Sequence, residues 1–321
     1  MLAPMKRFCI YLTALILPIA ILLGIGEYMV RQVPNSYSHK EKCIRKYHDQ
    51  LETLVLGNSH SFYGIKPQLL DGSAFNLANV SQTFPYDRFL LEKYPYPKLH
   101  TVVLTVSYPS FFEQRLEEGR FWYLCSYYKI YMDCPDHSDF SYYNFEASNM
   151  DNYRKKLELY LKHSSRIDCD AYGWGTTYKL SRKDMKAWND GSGAVEAVGR
   201  HTYTWDEAVE NARINFPAVK GIADFCNGKN IRLFLVTTPC TPEYNALVDQ
   251  RQLKEMYVLV DSLRKTNEFV HLDYMQDKRF AGDDFFDSDH LSVVGAEKFS
   301  KILNDDIHSI KQGETGIPYA K

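Results

Sequence analysis

The chain has 321 residues, enough for one large α/β domain or two small ones. Its 45% hydrophobic content and formal net charge of -2 are those of an ordinary globular protein, and so near-neutral a balance lacks the basic footprint of a nucleic-acid binder. The 24 Tyr and 18 Phe stand out; many fall between residues 84 and 178, which marks that region as different in kind.

Lys6 and Arg7 precede a stretch from Phe8 to Gly26 that carries no charge. Nineteen such residues just span a hydrocarbon core. Basic residues ahead of the span favour a cytoplasmic N-terminus with the remainder outside, although Arg31, Lys40 and Lys42 follow it and pull the other way. The apolar run is longer than that of a usual signal peptide, and no clear A-x-A site follows. Residues 1–29 are therefore expected to be an uncleaved signal-anchor, with a cleaved signal as the alternative, and the polar residues 30–50 a short stalk. Cys9 lies in the span. Cys43, Cys125, Cys134, Cys169, Cys226 and Cys240 lie beyond it, an even number that permits disulfides without selecting a pairing and equally permits buried thiols. No C-x-x-C or H-x-x-x-H spacing points to a structural zinc site, so no metal is expected.

Beyond the stalk, Leu51–Leu56 reads as a buried strand that breaks at Gly57-Asn58-Ser59, with a short helix after it stopping near Pro67. A second short strand covers Ala74–Ala78, and Asn79–Gln82 is a polar loop. A helix over Tyr86–Lys93 ends before Pro95 and Pro97. The β-branched run Thr101–Val106 is the clearest buried strand; it stops at Ser107-Tyr108-Pro109-Ser110-Phe111-Phe112. From about residue 113 to 207 the pattern changes. Arg120–Tyr123 and Tyr127–Tyr131 read as aromatic helical faces, Asp151–His163 has helical spacing, and Ala171–His201 is Gly-rich without strong periodicity. This region reads as an insertion over the core, its aromatics forming either a carbohydrate-binding surface or a packed core. Regular alternation returns with a helix over Trp205–Asn227, a strand over Ile231–Thr237, a helix over Asn245–Thr266, a strand over Phe269–Asp273 and a helix over Val293–Ile310. Five strands separated by helices predict a parallel, doubly wound α/β sheet, whose sites lie beyond the carboxyl ends of its strands. Ser59, Asn79, Ser107 and Pro239 fall at such ends.

Two stretches carry chemistry. A hydroxyl lifted by a tight turn at the start of a helix sits where developing negative charge is favoured, which suits Ser59 as a nucleophile, although Asn-Ser turns also serve only as caps. In Asp287-Ser288-Asp289-His290, an Asp three residues before a His can hold one imidazole nitrogen while the other faces a hydroxyl; the bland alternative is an acidic first helical turn. Together the two stretches favour the catalytic interpretation. His60 adjoins Ser59 in the turn and points elsewhere, so it reads as a packing or substrate-rim residue.

This combination resembles the SGNH/GDSL hydrolase superfamily. Gly57-Asn58-Ser59 matches its first block and Asp287-Ser288-Asp289-His290 its last, with Leu291 and Gly295 fitting the H-L-x-x-x-G run that follows. The resemblance covers roughly residues 51–112 and 225–311. It implies a flavodoxin-like three-layer fold with a five-stranded parallel sheet and a helical insertion, Ser59 as nucleophile, His290 as general base and then acid, Asp287 as the orienting carboxylate, and no cofactor. Two departures stand out. The usual G-x-N-D block after the third strand is replaced by Ser107–Phe112, which resembles the S-P-x-W-F type of membrane-anchored SGNH proteins handling D-alanine on teichoic acids and, with the anchor, agrees with O-acetylation proteins of surface polysaccharide. Ala78-Asn79-Val80-Ser81 stands where a Gly is common. The oxyanion donors are therefore expected to be the Ser59 backbone N–H and a group near Asn79, with Ser107 a further candidate. The implied function is an extracytoplasmic, membrane-anchored esterase or O-acyltransferase on a cell-surface glycan, with a membrane-bound acyl-donor protein as a possible partner. The alternative is a glycan-binding or scaffolding protein that keeps the fold without the reaction.

Overall fold

The computed structural model describes residues 2–119, 121–135 and 144–313. It is an α/β protein with a five-stranded, all-parallel sheet. The strands are β1 (Thr53–Leu56), β2 (Ala74–Asn76), β3 (Thr101–Thr105), β4 (Arg232–Thr237) and β5 (Val270–Asp273). All five expected strands are present, each trimmed by one or two residues at an end. Their spatial order is β2-β1-β3-β4-β5, so the direction of winding reverses between β1 and β3, which is where doubly wound sheets bind ligands.

Because both faces of a parallel sheet are covered, the middles of β1, β3 and β4 are unbroken apolar runs rather than alternating ones. Val55, Val103, Phe234, Val236 and Leu272 pack in one core with Ala296, Phe299 and Leu303 of α12 (Val293–Lys311). Leu54, Leu56, Val102, Leu104, Leu233 and Leu235, pointing the other way, are fully buried as well. Right-handed crossovers put α4 (Phe84–Lys93), α9 (Trp205–Gly228) and α11 (Gln250–Arg264) on that second face, and α3 (Ser59–Gly64) with α12 on the first. The single helix expected over residues 245–266 is two. Thr241 caps α10 (Pro242–Leu247), Val248 is extended, and the Asp249 side chain accepts the N–H of Gln252 at 2.8 Å to start α11.

Two compact units divide the chain, residues 40–122 with 168–321 and residues 1–39 with 123–167. The first holds the sheet and also takes in residues 168–207, including α7 (Met185–Asn189) and α8 (Ser192–His201). The second contains α1 (Leu2–Arg31), the first residues of α2 (Ser36–Tyr47), α5 (Leu124–Met132) and α6 (Met150–Leu161). The region read as one insertion is thus divided between them, 123–167 falling in the second unit and the residues on either side in the first. Pro4–Arg31 of α1 is long and apolar enough to cross a membrane. At its end, Gly26 lies against Tyr153 of α6, and Glu27 accepts the backbone N–H of Glu146 at 2.8 Å. Tyr37, Tyr127 and Tyr128 form a buried aromatic cluster in the same unit, with ring centroids 5.0 and 5.2 Å apart, so these aromatics are packed core. Of the expected helical face at residues 120–123, Arg120 lies outside the described residues, and α5 starts just after it.

The stretch read as a stalk is largely helical. Within the sheet-bearing unit, Lys40 of α2 is fully buried, its ammonium over the Phe62 ring at 4.3 Å and hydrogen-bonded to the Ala78 carbonyl. Burial lowers its pKa to about 8.

Candidate active site

The turn after β1 is built around one glycine. Gly57 has φ +121°, and a Cβ there would collide with the Thr105 side chain of β3, so the chain can pass this close only without a side chain. The Gly57 N–H donates to the buried Asp87 carboxylate of α4 at 2.7 Å. Asn58 then caps α3, its Oδ1 accepting the His60 N–H at 3.1 Å, and its Nδ2 reaches Ser107 Oγ at 3.3 Å. Ser59 is the first helical residue. N–H groups at a helix start have no intrahelical acceptor, so the Ser59 amide is a backbone donor beside its own hydroxyl.

The loop before α12 is folded by Asp287. Its Oδ1 accepts the N–H groups of Asp289 at 3.1 Å and His290 at 2.8 Å. Ser292 caps α12, and Gly295 lies against the Asp284 carbonyl, where a Cβ would clash. The result brings together the residues singled out from opposite ends of the chain. Ser59 Oγ lies 2.8 Å from His290 Nε2, and His290 Nδ1 lies 3.0 and 3.1 Å from the two oxygens of Asp287. Nδ1 faces carboxylates, so it carries a proton and donates. Burial opposes charging His290, but Asp287 and Asp289 outweigh it and lift its pKa to about 9. Burial likewise works against an ionised Asp287, yet the charge and hydrogen bonds of His290 hold its carboxyl well below the usual range.

The two residues expected to supply oxyanion donors are placed otherwise. Asn79 is buried and its amide donates to Leu77 O at 3.3 Å and Gln82 Oε1 at 3.0 Å. Ser107 bonds Ser110 Oγ at 2.8 Å and reaches the site only through Asn58. Their hydrogen bonds organise the loops after β2 and β3 rather than aim at Ser59.

Of the two expectations for His60, packing holds and the rim does not. The residue is 4% exposed, and its Nε2 lies 3.1 Å from Asp289 Oδ2. Asp289 Oδ2 also lies 3.4 Å from His290 Nδ1 and 3.7 Å from His201 Nδ1. His60, Asp289 and His290 approach closely enough to share an ion, but His290 is already engaged by Ser59 and Asp287. Asp289 sat in plain view inside the D-x-D-H stretch. His201, on α8, had no local signal, and neither had Tyr178. The Tyr178 ring is stacked between Tyr63 at 3.6 Å and Phe286 at 4.1 Å and meets the His290 ring edge-on at 5.4 Å. A cavity of about 250 Å³ is lined by Ser81, Glu113, Arg115, Arg200 and His201 among others, but by neither Ser59 nor His290; Glu113 Oε1 is 3.5 Å from Asn58 Nδ2. A hydroxyl, an imidazole and a carboxylate in this order can remove a proton from the hydroxyl as it attacks an electrophilic carbon.

No protein-family profile matches the sequence, and no curated protein matches it. Among solved structures, one described as "a putative platelet activating factor from Streptococcus pneumonia" is similar with a TM-score of 0.40 and 11% identity, over 92% of this chain and 99% of that one.

Proposed function

We propose that the protein is a membrane-anchored serine esterase or O-acyltransferase of the SGNH type, acting outside the cytoplasm on acyl groups of a cell-surface glycan. One observation carries this reading: Ser59 Oγ at 2.8 Å from His290 Nε2, with Asp287 on the other imidazole nitrogen at 3.0 Å. In the proposed reaction His290 takes the Ser59 proton as Oγ adds to the ester carbonyl, then returns it to the leaving alcohol, giving an acyl-enzyme. Water or a sugar hydroxyl, deprotonated in turn by His290, then takes the acyl group and regenerates Ser59. The Ser59 N–H is the backbone oxyanion donor. A membrane-bound protein is the proposed acyl donor for the transferase version. The apolar N-terminal helix and the D-x-x-H-L-x-x-x-G run that leads into the last helix support the SGNH reading.

The test is covalent labelling of full-length protein in detergent by a fluorophosphonate, together with turnover of an acetyl-ester reporter and of acylated polysaccharide. Ser59 should carry the label, and Ser59→Ala should lose label and turnover. Unchanged turnover by Ser59→Ala, or no label on Ser59 in the parent, overturns the reading. The engagement of Asn79 away from Ser59 favours a second one, a glycan-binding protein without turnover; glycan binding unaffected by Ser59→Ala, in a protein that takes no label, selects it.

A further inference from the structure

We propose that His60 and Asp289 form a second, buried carboxylate–imidazole pair that positions His290 from behind and raises its affinity for a proton. The inference rests on the triad reading above for its catalytic meaning but not for its physical content. The Nδ1 edge of His290 is shared between two carboxylates, Asp287 at 3.0 Å and Asp289 at 3.4 Å. A triad needs only the first. The second comes from two residues further along the same loop and is anchored by a residue from the far end of the chain, His60 Nε2 at 3.1 Å. The His60 and His290 rings meet edge to face with centroids 4.6 Å apart, so His60 also fixes the tilt of the His290 ring.

Asp289 is 1% exposed and His60 4%, and a carboxylate so deep is kept only where it is paired. Its Oδ1 and the His60 Nδ1 have no hydrogen-bond partner. All the binding capacity the pair shows is thus spent on each other and on His290 and His201. The groups facing Asp289 come from every surrounding element: His60 of α3, Asp287 and His290 of its own loop, Arg200 and His201 of α8, Tyr244 of α10, Cys240 of the loop before it, and Tyr178. Burial and the neighbouring Asp287 push Asp289 upward against the pull of His290. Burial and the charge of His290 keep His60 neutral. Above the Asp289 titration its negative charge adds to that of Asp287 on the imidazolium; below it, the charge disappears. Asp287 and Ser59 hold the two nitrogens of His290, while His60 and Asp289 steady its ring from behind and Asp289 sets the pH at which it becomes a base. Asp289 and His60 are positioning residues on this account, since their side chains act on His290 and not on the Ser59 hydroxyl.

The experiment is a histidine titration by NMR in the full-length protein in detergent micelles, labelled with ¹³Cε1-histidine and assigned through His290→Gln. In Asp289→Asn, His290 should bind its proton about tenfold or more weakly than in the parent. His60→Leu should move the His290 midpoint in the same direction, because a carboxylate stripped of its donor keeps its own proton. His60→Gln, which retains an N–H near the position of Nε2, should restore it. An unchanged His290 midpoint in folded Asp289→Asn overturns the proposal. Should that variant fail to fold, equal midpoints in His60→Leu and the parent overturn it. The measurement needs no turnover: a shifted midpoint in a protein whose Ser59 takes no fluorophosphonate sinks the esterase reading and leaves the pair standing.

Discussion

Gly57 N–H and the buried Asp87 carboxylate are hydrogen-bonded at 2.7 Å, so the turn that presents Ser59 is held from α4 as well as by its own strand. Burial pushes Asp87 up to about 7, against the bonds from Gln82 and Gly57. Gly57→Ala adds a Cβ at a positive φ and against Thr105. It should cost about 1–3 kcal/mol of stability and remove fluorophosphonate labelling. Thermal unfolding and labelling of the same sample check both.

Asp287→Asn should lower turnover on the order of 10⁴-fold with little change in melting temperature. An amide cannot hold the His290 tautomer or balance the imidazolium, while its oxygen still accepts the N–H groups of Asp289 and His290. Reporter kinetics beside a thermal melt separate the two effects.

On the proposed reaction the rate of Ser59 labelling should rise with pH and level off above about 9, because there only neutral His290 can take the Ser59 proton and its pKa is lifted to about 9. The same shift is linked to stability. A base whose folded pKa lies above its unfolded value of about 6.5 stabilises fully below that value and loses the contribution as pH rises through about 9. The stability difference between the parent and His290→Gln should therefore narrow between pH 7 and 10, measured by denaturant melts.

Lys40→Ala should destabilise by about 2–5 kcal/mol through lost packing. Lys40→Met fills the same space over Phe62 but leaves the Ala78 carbonyl unpaired and removes the charge facing Asp168 and Asp170, so it should cost about 1–3 kcal/mol. Denaturant unfolding of the two variants reads the difference.

Cys226 and Cys240 are buried free thiols; burial raises Cys226 to about 12 and Cys240 well above its ordinary value. With little thiolate present, both should resist a thiol reagent in the native state and react at the rate of unfolding once denaturant is added. Mass spectrometry of the alkylated peptides measures this.

The sheet was legible in the sequence because a parallel strand buried on both faces is a short unbroken apolar run, and Leu54–Leu56, Val102–Leu104 and Leu233–Val236 are that. Ser59, Asp287 and His290 could be paired because each sits where a strand or loop meets a helix. What stayed hidden depends on distance in space. Lys40 lies in a polar, charged stretch that reads as solvated until the Phe62 ring and the Ala78 carbonyl are beneath it. His201 is one His among ten, brought to Asp289 by a helix with no marker of its own. Asn79 and Ser107 lie shortly beyond the ends of β2 and β3, but position says nothing of which way an amide or hydroxyl turns, and both turn into their own loops. The aromatics behaved in two ways that composition does not distinguish: Tyr37, Tyr127 and Tyr128 pack into a core, while Tyr178 lies flat between Tyr63 and Phe286 at the edge of His290.

The last turns of α1 rest on Tyr153 and on the 3₁₀ turn at Glu146–Ser148, more than a hundred residues away in the chain. During synthesis, which proceeds from the N-terminus, that end of the helix emerges long before its partners, and the first three strands are complete before the unit to which α1 belongs can close. The segment from Gly26 to Arg31 must wait with its contacts unmade. Chains cut short before about residue 160 should leave it exposed to protease, however well the preceding strands are formed.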